Sequence, residues 1–76
     1  MARPSDTLNA SVLDAHASGD GPRLAFLYGQ AAEQFNAAGD ADAACFYWTQ
    51  ALVFSLEAGM EEARHYADEL RIRGRL

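Results

Sequence analysis

A chain of 76 residues with a formal net charge of −5 makes one domain, which can bury only about 60% of the surface its unfolded form exposes. The acidity is uneven: residues 1–59 hold Arg3 and Arg23 against seven carboxylates, whereas residues 60–76 balance four arginines with four acids. A net acidic domain repels phosphate backbones, which argues against a nucleic-acid partner.

Half the residues are hydrophobic, but sixteen are alanine, which favours helix and close packing rather than large buried area. The core must therefore rest on the eight aromatics and a few Leu, Val and Ile. Lysine is absent, and the Ala, Arg, Gly and Asp bias suits a GC-rich bacterial genome. Cys45 is alone, so no intrachain disulfide is possible. The first residues lack the apolar run of a signal peptide and no stretch is as long as a membrane span. A cytoplasmic protein without a membrane partner is expected.

In chain order, residues 1–5 read as a tail, 6–74 as one helical domain and 75–76 as a C-terminal tail. The first helix starts at Pro4, Ser5 or Asp6, carries Leu8, Val12 and Ala15 on one face, and stops at Gly19. Asp20-Gly21-Pro22 makes a turn, with Pro22 suited to the first helical position, where its missing N–H costs nothing. The second helix presents Leu24, Tyr28, Ala31, Phe35 and Ala38 at helical period and ends at Gly39.

Asp40 is a natural N-cap for the third helix, with Asp42 favourably placed for its dipole. The principal face is Ala44, Trp48, Ala51, Leu52 and Ser55, and a second apolar strip is Cys45, Phe46, Val53 and Leu56. A helix apolar over more than half its circumference should be the central element. The triplet Phe46-Tyr47-Trp48 spans about 200°, too wide for one core stripe, so at least one ring should reach an edge or the surface. Gly59 ends this helix. The fourth begins near Met60, with Glu61 and Glu62 in its first turn, Arg71 and Arg73 in its last, and Gly74 as C-cap; Ala63, Tyr66, Ala67 and Leu70 form its buried face. Connections this short make consecutive helices antiparallel neighbours, so the fold class is all-α: four antiparallel helices joined by Gly turns.

The block Phe35, Gly39-Asp40, Ala44, Trp48, Ala51-Leu52 resembles the core of a tetratricopeptide repeat, covering one full repeat over residues 25–58. Ala63, Tyr66-Ala67, Leu70 and Gly74 look like the first helix of a following repeat, and Leu8 to Ala15 like the second helix of a preceding one. The chain departs from the family in Ala31-Ala32, in Ala41 and in lacking the closing Pro. A generic four-helix bundle is the alternative. The resemblance implies a non-catalytic protein–protein interaction module whose groove stripe would be Phe26, Gly29, Glu33 and Asn36, joined by Glu61, Arg64, Asp68 and Arg71. Repeat arrays usually need about three units for stability, so leftover apolar surface is expected to be covered. A homodimer through Phe46, Val53 and Phe54 is the second reading.

Chemistry is otherwise sparse. Glu61, His65 and Glu69 share a helical face but have no fourth ligand; His16 stands near a helix end, and Cys45 sits between Ala44 and Phe46 as a small core hydrophobe would. No phosphate loop or nucleophile motif occurs. No metal, cofactor or enzymatic activity is expected, and the partner is an unidentified protein or peptide.

Overall fold

The computed structural model describes residues 4–76, with side chains from Leu8 onward. Among these residues are four α-helices and no strand: α1 Pro4–Ser18, α2 Gly21–Ala37, α3 Ala41–Glu57 and α4 Glu62–Ile72. The all-α class is therefore observed. α1 begins at Pro4, one of the starts read from the sequence, and so takes in part of the expected N-terminal tail, while Arg75 is tied to the domain rather than trailing from it.

One device ends each helix. At the close of α2, Gly39 takes φ +83°, its N–H donates to the Asn36 carbonyl at 3.1 Å, and the Asp40 N–H reaches back to Phe35 at 2.9 Å. A side chain at Gly39 would clash in this left-handed conformation, which makes glycine the fitting residue. The bonds from Asp20 to Ala15, Met60 to Ser55 and Arg75 to Leu70, each 2.9 Å, repeat the closure at the other three helix ends.

The residue after the glycine decides how the next helix begins. Asp20 and Asp40 accept from the Arg23 and Ala43 N–H groups, both at 3.1 Å, satisfying donors that the helix leaves free. Met60 occupies the corresponding place before α4, packs against the core, and leaves that helix without a side-chain cap. α4 accordingly starts at Glu62, two residues later than Met60.

The helices pack in chain order, α1 on α2, α2 on α3, α3 on α4, with the largest interface between α2 and α3. Ala25, Ala32, Ala44 and Ala51 line the core and allow close backbone approach, while Trp48, 1% exposed, fills the space beside Tyr66 and Leu70 of α4. The result is a slab of 35 × 30 × 13 Å. So thin a layer cannot enclose its helices. On α2, Leu24 and Ala31 are buried as expected, but Ala25, Gly29 and Ala32 complete the buried arc and leave Phe35 at the edge. On α3, Ala44, Trp48, Ala51 and Ser55 are buried, whereas of the second strip only Cys45 is covered.

Candidate interaction surface

The side of α3 turned away from α2 and α4 is the most unusual surface of the molecule. Phe46 is 59% exposed and Val53 44%, with Thr49 and Leu56 also open to solvent. Between Asp42 and Glu57 the helix contains no ionised side chain at all. In a chain of net charge −5, three successive exposed turns without a charge have the depletion typical of an interface core. The aromatic triplet fans out as the helical angle requires: Trp48 inward, Tyr47 half-buried, Phe46 outward.

Tyr47 belongs to a ladder of rings contributed alternately by α3 and α2. Phe54 stacks on Tyr28 at 5.7 Å, Tyr28 on Tyr47 at 6.0 Å, and Tyr47 on Phe35 at 5.3 Å. Phe46 meets Tyr47 edge-on at 5.2 Å. His16 of α1 caps the ladder, T-shaped to Phe54 at 5.8 Å and sharing a 2.9 Å hydrogen bond between its Nε2 and the Tyr28 hydroxyl. Burial pushes the Tyr28 phenol above its ordinary pKa, and neighbouring Tyr47 adds to the effect. The ladder draws Phe54 inward. Of the three residues expected to form a dimer surface, Phe46 and Val53 therefore share the outer ridge and Phe54 does not.

Beside this ladder lies a groove of about 470 Å3, floored by Tyr28, Ala31 and Phe35 and walled by Leu8 and Val12 of α1 and by Phe46 of α3. Its polar residues are Asn9, Gln34, Tyr28 and Tyr47, and none of the lining residues is ionised. Phe46 belongs both to the groove and to the α3 ridge.

The stripe expected from the repeat resemblance is divided by the structure. On α2, Gly29 lies beneath the Tyr66 ring and Asn36 accepts from Arg73 Nη2 at 3.2 Å, so both serve internal packing. Phe26 is 52% exposed and Glu33 is exposed. Glu62 and Glu33, after burial itself, hold the Tyr66 phenol above its usual pKa. On α4, Arg64, Asp68 and Arg71 lie on the flank away from Tyr66 and line a shallow depression with Leu52, Leu56 and Leu76. The angle explains this: Tyr66 and Arg73 differ by about −20° around the helix, but Tyr66 and Arg64 by about 160°. Arg71 is paired with Asp68 at 2.8 Å, which further reduces its freedom to meet a ligand.

Two C-terminal arginines have roles that their helix-end charge did not disclose. Arg73 lies 4.3 Å above the Trp48 ring, pairs with Glu69 at 2.9 Å and reaches Asn36, joining α2, α3 and α4. Arg75 Nη2 donates to Asp42 at 2.6 Å, and that bond above all, with the Asp42 charge, favours its protonated form. Of Glu61, His65 and Glu69 on one side of α4, Glu69 is committed to Arg73, and the described residues contain no cluster of three metal-ligating groups.

No family model, curated protein or solved structure matches this chain. Its surface chemistry is the ground for any functional reading. Among the described residues no helix is long and apolar enough to cross a membrane.

Proposed function

We infer that this chain is a non-catalytic protein–protein interaction module whose working surface is the face formed by the α3 ridge and the adjoining groove. One observation carries this reading: Phe46, Val53 and Leu56 are exposed along a helix side that bears no charge, although the same helix holds the core Trp48. Isolated exposed apolar residues are ordinary, but a contiguous neutral ridge beside an aromatic groove is the form that docking surfaces take. Chain-order packing of helices through Gly turns, two of the three of them Gly-Asp, supports a tetratricopeptide-like array in preference to a closed bundle. The buried single thiol Cys45 suits a cytosolic setting.

Phe26, Glu33 and Asn36 on α2 are the second candidate surface, favoured by the exposure of Phe26, and Arg64, Asp68 and Arg71 lie apart from them on the other flank of α4. Internal contacts of Gly29 and Asn36 leave it with fewer free groups. The reading is tested by sizing the protein in native extract. Wild type should migrate well above its 8.2 kDa chain mass, and Phe46→Glu should return it to a smaller species; wild type at single-chain mass contradicts the interaction role.

A further inference from the structure

We propose that the occupant of the α3 ridge is an amphipathic helix of another protein, its apolar stripe bracketed by cationic side chains. The proposal rests on the interaction reading above and adds the chemistry of the partner.

The charges at the two ends of the ridge select a basic partner. Around the helix Asp42, Val53 and Glu57 all lie within about 40° of Phe46, so a single stripe has a carboxylate at each end and apolar side chains between. Those carboxylates stand about 22 Å apart along the axis. At the first end Asp42, its side chain 89% exposed although bonded to Arg75, is joined by the exposed Asp40, which leaves two acids against one guanidinium. Glu57 at the other end is exposed and forms no ion pair among the described residues. It closes α3, where the negative pole of the helix makes a carboxylate unfavourable. A cation from outside relieves that cost.

A second copy brings carboxylates to these places instead. Laid on itself antiparallel with Phe46 against Val53, the ridge sets Glu57 against Asp42; laid parallel, it sets each acid against its own counterpart. The net charge of −5 also draws a basic partner from a distance and turns acidic ones away.

Hydrogen bonding requires the occupant to be helical. The ridge is the side of a helix whose peptide groups bond one another, and between Phe46 and Val53 it offers only the Gln50 amide and Thr49, whose hydroxyl donates to the Cys45 carbonyl at 2.8 Å. An extended segment lying there would cover N–H and C=O groups of its own without partners, whereas a helix arrives with its backbone satisfied. Phe46 and Val53 stand about two turns apart, a spacing that a second helix meets with apolar residues at its own heptad positions.

Two dye-labelled, alanine-rich helical peptides test this against the purified full chain by fluorescence anisotropy. Each carries one stripe of leucines, bracketed about 22 Å apart by lysines in one peptide and by glutamates in the other. At low salt the lysine peptide should bind about tenfold tighter or better, since attraction replaces repulsion at both ends. In about 1 M salt, where the screening length falls to about 3 Å, most of that difference should vanish. Glu57→Lys should remove much of the preference while leaving the melting midpoint equal or higher, because a cation suits the C-terminal pole. Phe46→Ala, which alters no charge, should weaken both peptides alike. Equal affinities, or a preference unchanged in Glu57→Lys, overturn the proposal. Tighter binding of the glutamate peptide, lost in Phe46→Ala, would reject a basic partner and leave the interaction reading in place. Purified wild type at twice 8.2 kDa in light scattering, with Phe46→Glu at the single mass, would assign the ridge to a second copy instead. Failure of both peptides to bind also overturns the proposal, and migration of wild type in native extract then decides the interaction reading separately.

Discussion

The Tyr66 ring of α4 covers Gly29 of α2 so closely that a Cβ at Gly29 would lie 2.8 Å from Tyr66 Cε1 and 2.9 Å from its hydroxyl oxygen. A glycine within a helix loses about 1 kcal/mol relative to alanine, so its presence here is explained by packing. Overfilling such a contact costs about 1–3 kcal/mol. Gly29→Ala should therefore lower stability by about 1 kcal/mol net, a fall of about 4–8 °C in Tm for a domain this small. In a Tyr66→Leu background, which withdraws the ring edge, the same change should raise stability. Thermal melts of the four proteins decide the matter; a stabilising Gly29→Ala in the wild-type background would contradict the close approach.

Arg73 is expected to behave as a structural residue. Its guanidinium covers Trp48 at 4.3 Å while bonding Glu69 and Asn36. Arg73→Ala should cost about 1–2 kcal/mol and shift Trp48 fluorescence to longer wavelength as water reaches the indole. Lysine cannot reproduce the planar fork that meets three elements. Arg73→Lys should thus recover less than half of the loss in denaturant titrations.

Alkaline pH should weaken the fold through Tyr66 and Tyr28. Both phenols have folded pKa values above the ordinary 10.0, chiefly from burial. The unfolded chain then releases its phenolic protons at lower pH than the folded one, and stability falls as pH rises above that value through the folded pKa values. The contribution is complete below pH 10. Denaturation midpoints from about pH 8 to 11 should decline across the upper part of that range, and Tyr66→Phe should flatten the decline. An equal decline in Tyr66→Phe and wild type would remove Tyr66 as its source.

The caps predict a difference between helices. Asp40→Ala removes the carboxylate that accepts from the Ala43 N–H at 3.1 Å and should cost about 1 kcal/mol. Glu61→Ala should cost less, since Glu61 makes no side-chain cap bond at the start of α4. Circular dichroism melts of the two variants compare them directly.

Local chemistry made much of this architecture legible. Gly39-Asp40 announced a helix stop and a capped start, and Ala44, Trp48, Ala51 and Ser55 announced the buried side of α3. The helical angle of Phe46-Tyr47-Trp48 already required an outward ring, which the structure places at Phe46. What periodicity could not supply was the depth of cover over each helix. Phe35, Val53 and Leu56 are apolar and correctly spaced, yet the slab is too thin to bury them. Spacing named the buried side of α4 through Ala63, Tyr66 and Leu70, whereas the stripe Arg64, Asp68 and Arg71, which came from the repeat resemblance, lies on the other flank. The uncharged run from Ala43 to Leu56 was the available signal for the ridge. It acquires meaning only once one side is seen to face solvent.

The most direct test of the central claim compares three proteins in native extract: wild type, Phe46→Glu on the α3 ridge and Phe26→Glu on the exposed side of α2. All three should keep the helical circular dichroism of the folded chain. The ridge account predicts that wild type and Phe26→Glu migrate together as an assembled species and that Phe46→Glu alone is released to lower mass. Release of Phe26→Glu with Phe46→Glu remaining assembled would contradict it.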